Sequence, residues 1–454
     1  MLTKIDILTE TNIYQQDKYT KIDNMKILLL SPHPNKTITF SSIVFSSLTL
    51  KQLAAITPEK HSVEIVDEKF QEINFDKHYD VVGISLMTYN SIRGYRIADE
   101  FRRRGVTVVL GGYHPSALPN EAKQHADAVV IGEAERTWPQ LLEDIEKGKL
   151  KPFYLDKMVV KPEDIPPARH DINNHKFMVD SIQASRGCPI GCKFCSIRNV
   201  EGTKYRTRKI DDVIKEMHSI KTKKIFFADS SLTIKPSFTK ALFKEMIGLN
   251  KRFTCFGNIN TLGADDELLK LSSEAGCLRW LIGIESFNKT NISQIGKKTN
   301  KVEEYAKAIR KIKDYGILTV GMFIFGFDND TPNVFENTLQ SILELDLDSA
   351  FFNILTPYPG TPLFERLERE GRILTRDWSR YLSRCEDQSV VFKPKYMTPE
   401  QLSQGSLKTA ISYYSLSNIA KRWLNTRNAN IHKFMYKISS NISSHLFYRG
   451  FIKF

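Results

Sequence analysis

The chain has 454 residues, 41% of them hydrophobic and 26% charged, with a formal net charge of +13. This composition excludes a disordered or fibrous chain, and the length points to two or three domains. No run approaches 18 consecutive apolar residues, so no transmembrane helix is signalled.

Residues 1–24 are polar and lack the apolar core and cleavage site of a secretory signal, so they read as an extension. From residue 25 to 150 short apolar runs alternate with helical patterns. The runs are Lys26–Leu30, Ser62–Val66, Val81–Ser85, Val106–Leu110 and Ala128–Ile131, and Ile92–Arg104 is an amphipathic stretch between two of them. That alternation predicts βαβ units and a Rossmann-like parallel sheet. Ligands of such sheets bind at the carboxyl ends of the strands. Turn residues stand there, in Ser31-Pro32-His33-Pro34-Asn35, Gly111-Gly112-Tyr113-His114-Pro115 and Gly132-Glu133. GxGxxG is absent, so no dinucleotide site is signalled.

Residues 151–180, with Pro162, Pro166 and Pro167, predict an interdomain linker. A second β/α series fills residues 181–376. Its candidate strands are Ser181–Ser185, Lys224–Ala228, Thr254–Asn258, Arg279–Gly283, Ile317–Phe323 and Ala350–Leu355, with helical patterns such as Ile210–Ile220 and Val302–Tyr315 between them. Six units without a seventh and eighth predict a partial barrel. Residues 377–454 form a small module, with helical spacing over Glu400–Leu424. The expected class is therefore α/β: a Rossmann-like parallel sheet domain, a six-stranded partial β/α barrel and a small helical C-terminal module.

From Gln401 to Phe454 there are eight Lys or Arg residues and no Asp or Glu, leaving +5 on the first 400 residues. Such a basic tail points to a local surface more than to nucleic acid. Trp423, Phe434, Tyr436, Phe447, Tyr448 and Phe451 interleave with its cations, a pattern that suits an anionic membrane surface. A helical module packed on the barrel with a solvated basic face is the plainer reading. Base stacking on those aromatics is a third.

Three of the six cysteines fall within eight residues, in Ser185-Arg186-Gly187-Cys188-Pro189-Ile190-Gly191-Cys192-Lys193-Phe194-Cys195-Ser196. Clustered thiols in a large chain point to metal and a reducing compartment rather than to a disulfide scaffold. Three thiolates on one loop suit three irons of a cubane cluster and leave the fourth iron open for a chelating ligand. Gly187 and Gly191 permit the turns that direct the thiols inward. Structural zinc is the rival, but it wants four ligands in CxxC pairs, and no matching pair follows. Cys255, Cys277 and Cys385 are scattered and read as core thiols; Cys385 falls in a loop expected near the barrel mouth.

CxxxCxxC with an aromatic before the last Cys resembles the signature of the radical S-adenosylmethionine (SAM) superfamily. The resemblance implies a [4Fe–4S] cluster on Cys188, Cys192 and Cys195, with SAM chelating the fourth iron. One electron, from a donor such as flavodoxin or ferredoxin, then cleaves SAM to a 5′-deoxyadenosyl radical. The cofactors carry that chemistry; the protein supplies placement and excludes water. The same resemblance implies SAM contacts at the strand exits. Asp229 would bind the SAM amine, although the common GGE version is absent here and a helix cap is the alternative. Glu285 would bind the ribose hydroxyls, and Asn258 would face the site. Gly321 and Phe323 would pack on adenine, with ordinary barrel core as their alternative.

Leu110-Gly111-Gly112-Tyr113-His114-Pro115 and Val130-Ile131-Gly132-Glu133-Ala134-Glu135 resemble the cobalamin-binding domain of cobalamin-dependent radical SAM enzymes, such as the anaerobic magnesium-protoporphyrin ester cyclases and hopanoid methylases. Tyr358-Pro359-Gly360-Thr361-Pro362 and Asp377-Trp378-Ser379 extend the likeness, which spans about Met25 to Leu416. It implies corrinoid contacts at Ser85, Thr88, Gly111, Gly112, Gly132 and, in a loop, His114. The DxHxxG motif that supplies a histidine ligand in other corrinoid proteins is absent. The implied activity is methyl transfer to an unactivated carbon of a small molecule or lipid. A radical cyclase or rearrangement enzyme with a degenerate cobalamin domain and a non-catalytic corrinoid or iron–sulfur carrier are the alternatives. The expected location is cytoplasmic and peripheral to the membrane.

Overall fold

The computed structural model describes residues 24–33, 47–156, 158–172, 178–424 and 431–451. The extension expected over residues 1–24 lies outside these apart from Asn24.

The apolar runs of the first domain form strands β1 (Lys26–Ser31), β2 (Ser62–Asp67), β3 (Val81–Ser85), β4 (Thr107–Gly111), β5 (Ala128–Ile131) and β6 (Phe153–Leu155). They make one parallel sheet in the order β2-β1-β3-β4-β5-β6. Both faces are covered, which is why the runs are continuously apolar rather than alternating. Leu28, Leu30, Val82 and Leu110 pack against Ile97 and Phe101 of the helix Ser91–Arg103. Leu29, Val81 and Val109 pack against Leu50 of the helix Leu48–Ala55 and Trp138 of the helix Thr137–Glu146. Strand order reverses between β1 and β3, which opens a crevice at their carboxyl ends. Strand β6 corrects the expected linker: Phe153–Leu155 pairs with β5 and extends the sheet. Three edge residues are too few to carry a periodic signal.

The second series forms β7 (Asp180–Ile182), β8 (Ser185–Arg186), β9 (Arg206–Thr207), β10 (Lys224–Phe227), β11 (Arg252–Gly257), β12 (Cys277–Glu285), β13 (Leu318–Phe325) and β14 (Ser349–Ile354). Strands β8 and β9 form a separate antiparallel ladder that frames the cysteine loop. The other six are parallel in chain order, from β7 through β10 to β14. Each crossover therefore advances the same way, all helices fall on one face, and the sheet curls into an open barrel in which β7 and β14 do not pair. Side chains on the helix side, such as Phe227, Trp280 and Phe352, are fully buried. Those on the inner side, Phe226, Phe256, Met322, Ile324 and Phe351, are only half-buried. The barrel thus encloses a lumen rather than a filled core.

The C-terminal residues form the helices Pro399–Tyr413, Leu416–Leu424 and Ile431–Arg449. The helical spacing over Glu400–Leu424 is realised as the first two of these helices, with a break at Tyr414-Ser415. Tyr413 meets Phe352 edge-on at 5.7 Å. Buried Lys437 pairs with Asp348 at 2.8 Å, and the Arg422 guanidinium lies 3.9 Å over the Tyr413 ring. Two of the eight tail cations are therefore structural. No helix among the described residues is long and apolar enough to cross a membrane.

Candidate cofactor site

The cysteine loop leaves the β8–β9 ladder and is pinned on both sides. The Cys188 N–H donates to the Gly202 carbonyl at 3.2 Å, and the Lys193 N–H donates to Ile295 at 2.9 Å. Gly187 has φ +80°, and a Cβ there would stand 2.2 Å from the Lys204 carbonyl, so only glycine fits. The three thiols are half-buried and perturb one another. Burial pushes Cys192 up to about 12 and raises Cys195. Buried thiolates without a cation are unfavourable, whereas a coordinating iron deprotonates a thiol outright. Among the described residues no three His, Cys, Asp or Glu side chains close on one point as a single ion requires. Three thiols on one loop suit three irons of a cubane cluster, whereas structural zinc wants four ligands, so this donor set fits an iron–sulfur cluster better than zinc.

The strand exits surround this loop. Asp229, past β10, is fully buried, and burial pushes it up to about 7. Its carboxylate accepts from the Ala184 N–H at 3.1 Å and from the Ser185 hydroxyl at 2.5 Å. It therefore ties the start of the loop to the barrel. Asn258 follows β11 and receives no use as a helix cap; its N–H donates to Thr233 at 2.7 Å. Glu285 closes β12 with φ +64°, a left-handed conformation rare for glutamate, beside a break in the β12–β13 register. Strain of this kind is held only where surroundings impose it. Here the buried Lys297 ammonium does so: it contacts Glu285 at 2.5 Å and the Gly283 carbonyl at 2.7 Å, and lies near Cys192. Lys297 was no sequence candidate, because nothing local marks a lysine in the loop Gly296-Lys297-Lys298.

Gly321 and Phe323 stand on the helix side of β13, not in the lumen. A Cβ on Gly321 would meet Leu347 at 2.6 Å, and Phe323 stacks on Phe287 at 5.6 Å and Phe352 at 6.0 Å. Their expected adenine role is corrected to core packing; Met322 and Ile324 are the residues of that strand that face inward, since side chains alternate.

A cleft of about 280 Å³ lies between the two domains, over the carboxyl ends of the first sheet. Ser85, Gly111, Gly112 and Gly132 line it, and it runs beside Gly83 down to Trp138. A Cβ on Gly83 would stand 3.0 Å from the Trp138 ring, so glycine lets that ring pack close against the sheet. Tyr113, missed in the sequence, also lines the cleft. Its phenol is raised by burial, then by the nearby Glu201 and Cys195, which places it between the glycine-lined edge and the cysteine loop. Thr88 and His114 do not line it. Thr88 is buried at the start of a short 3-10 turn, Thr88–Asn90. His114 is fully buried against Trp378, with Nε2 3.1 Å from Glu121. Both are corrected to structural positions.

Gly112 has φ +101°, and a Cβ would stand 2.7 Å from the Leu86 carbonyl. Gly112→Ala is expected to lower stability by roughly 1–3 kcal/mol from backbone strain alone. The denaturation midpoint checks this against Gly111→Ala, whose Cβ would meet nothing nearer than 3.6 Å and should change little.

A buried ion network holds the domains face to face. Arg186, just before the cysteine loop, pairs with Glu133 at 3.0 Å and Glu135 at 2.7 Å. Arg206 pairs with Glu133 at 3.0 Å and donates to the Val160 carbonyl at 2.6 Å.

Residues 182–342 match the Radical SAM superfamily, and residues 45–142 match the B12 binding domain. The bacteriochlorophyllide d C-8(2)-methyltransferase of Chlorobaculum tepidum is 34% identical over 402 residues, 83% of this chain and 87% of that protein. The chain belongs to the cobalamin-dependent radical SAM methyltransferase family. The hopanoid C-2 methylase of Rhodopseudomonas palustris is 28% identical, covering 72% of this chain and 64% of its own length. Among solved structures, the radical SAM methyltransferase TsrM of Kitasatospora setae, with cobalamin and a [4Fe–4S] cluster bound, superposes with a TM-score of 0.71. It does so at 17% identity, over 93% of this chain and 99% of that one. As a member of this family the chain is an enzyme, and a carrier role is set aside.

Proposed function

We propose that the chain transfers a methyl group from a corrinoid to an unactivated carbon of a hydrophobic small molecule, the class to which the bacteriochlorophyllide and hopanoid substrates named for its relatives belong. The observation that carries this reading is the facing of a three-thiol loop and a glycine-edged cleft, with Tyr113 between them. When bound, the cluster with SAM supplies a radical that removes hydrogen, and the corrinoid supplies the methyl group.

In this reading Cys188, Cys192 and Cys195 hold the cluster, and Asp229 is a positioning residue for their loop. Glu285 and Asn258 take the polar part of SAM, with Lys297 fixing the Glu285 carboxylate. Ser85, Gly111, Gly112 and Gly132 give the macrocycle a flat edge. Residues 25–155 form the corrinoid unit, 181–376 the radical unit and 377–454 the C-terminal module. A low-potential one-electron donor completes the system.

The test supplies SAM and dithionite to the anaerobically reconstituted chain and measures 5′-deoxyadenosine. Formation of 5′-deoxyadenosine is the expected result, and intact SAM after prolonged incubation would refute the reading.

Leu416, Met435, Ile442 and Leu446 are exposed, and the last three fall seven and four residues apart on one helix. This stripe beside an acid-free basic segment favours peripheral contact with anionic lipid. Sedimentation with anionic liposomes is expected, and Met435→Glu with Leu446→Glu should abolish it. Binding that survives the double substitution would contradict this assignment.

A further inference from the structure

The helix Leu48–Ala55 and the residue after it form one wall of the glycine-edged cleft: Leu48, Thr49, Gln52, Leu53 and Ile56 all line it. The segment that the sequence marks as a linker grips this helix. Gln52 donates through Nε2 to the Pro166 carbonyl at 2.7 Å, and the Arg169 N–H donates to the Lys51 carbonyl at 3.2 Å. The buried Lys51 ammonium pairs at 2.6 Å with Asp180, the first residue of β7. Linker and barrel therefore hold the cleft wall together.

His170 closes this grip. Its side chain is 3% exposed, with Nδ1 3.0 Å from Asp180 and Nε2 3.0 Å from Glu216, which stands on the helix Ile210–Ser219. A carboxylate oxygen only accepts, so each ring nitrogen needs a proton to bond there, and a neutral imidazole carries one. Lys51 beside Asp180, and Arg208 paired with Glu216 at 2.6 Å, keep both carboxylates ionised, so neither lends the ring a proton. The imidazolium satisfies both contacts. Lys51 Nζ also stands 3.4 Å from Nδ1, but the shorter contact to Asp180 makes that nitrogen a donor. Among the described residues two more groups act on this pair: Lys251, before β11, faces Asp180, and Asp171 adjoins His170 and pairs with Arg169 at 2.7 Å. Burial opposes a charge on the ring and Lys51 adds to that; Asp180 and Glu216 outweigh them, so His170 titrates above the ordinary histidine value.

We infer that His170 is a positioning residue for the corrinoid site: as an imidazolium it ties the cleft wall to the barrel through Asp180 and Glu216, and on losing its proton it loosens that wall and releases the corrinoid. A histidine raised in this way adds its full stabilisation below about pH 6.5 and loses it as the pH climbs through the raised value. Retention of the corrinoid therefore falls on the alkaline side of neutrality. This assignment rests on the corrinoid reading for what the wall holds, but the grip itself is tested apart from it.

The test uses the full chain with its cluster reconstituted, at neutral and at alkaline pH, and takes two readouts: the thermal transition, and the dissociation constant of cyanocobalamin, a probe whose axial ligand does not titrate there. In the wild type the transition is expected to fall at alkaline pH and the dissociation constant to rise about tenfold, the scale of one charge-assisted contact. His170→Gln, which donates at one end only, should behave at neutral pH as the wild type does at alkaline pH, with a flatter profile. His170→Arg keeps its protons and can reach both carboxylates, so it should hold cobalamin at alkaline pH. Iron content shows that the cysteine loop is intact in each variant. A loss in His170→Gln that is equal at every pH would mark a purely structural contact and overturn the inference. Parallel profiles for the wild type and His170→Arg would overturn it equally, so the outcome does not depend on His170→Gln folding. A thermal profile that depends on His170 in a chain that binds no cobalamin at any pH would refute the corrinoid reading and leave the grip standing; tight cobalamin binding with no profile that depends on His170 would do the reverse.

Discussion

Cys192→Ala is expected to abolish SAM cleavage and to remove most of the bound iron. Cys192 is the middle donor of a loop whose backbone is fixed by Gly202 on one side and Ile295 on the other. With the loop so constrained, no neighbouring side chain can swing in as a substitute ligand, and among the described residues no further thiol lies in the loop. Cys255, Cys277 and Cys385 are each buried elsewhere. The chain itself should remain folded, because Cys192 is only half-buried and is not part of the apolar core. Iron and sulfide analysis with far-UV circular dichroism checks both parts. Full iron content in the variant would show that Cys192 is not a ligand.

The second large effect concerns stability. Glu133→Ala leaves the buried guanidinium groups of Arg186 and Arg206 without their shared partner. Removing one side of a buried pair costs about 3–5 kcal/mol, because an uncompensated charge stays in place. Glu135 still holds Arg186 and moderates the loss there. Arg206 keeps only carbonyl acceptors among the described residues, at Val160, Glu201 and Lys204. Thermal unfolding should shift down strongly, and cobalamin retention should fall with it, since Arg186 and Glu133 both line the interdomain cleft. Glu133→Gln, which keeps shape and one acceptor, should lie between. A wild-type transition in Glu133→Ala would show that the network contributes nothing net.

Local patterns in the sequence carried the cysteine loop and the strands. Three ligands within eight residues form a motif without help from the fold, and the runs Val81–Ser85 and Ala128–Ile131 are strands at those same bounds. What the sequence hides is which face of a strand looks inward. In an open barrel both faces of β13 are apolar, so period-two alternation cannot tell Phe323, which faces the helices, from Met322, which faces the lumen; an error of one residue moves every side chain across the sheet. Distant partners are equally hidden. His114 looks like a loop ligand until Trp378, far along the chain, is seen packed on it. Glu133 and Lys297 have roles only because Arg186 and Glu285 arrive from other strands. Tyr113 adjoins a recognised glycine pair, and that adjacency was the one available signal for it.

The central claim is that one chain holds an iron–sulfur cluster and a corrinoid face to face. Anaerobic reconstitution with iron, sulfide and hydroxocobalamin, followed by metal and corrinoid quantification, tests it most directly. About four irons and one cobalamin per chain are the predicted result. Iron at that level without cobalamin would contradict the role given to the glycine-edged cleft, and absence of iron would contradict the account as a whole.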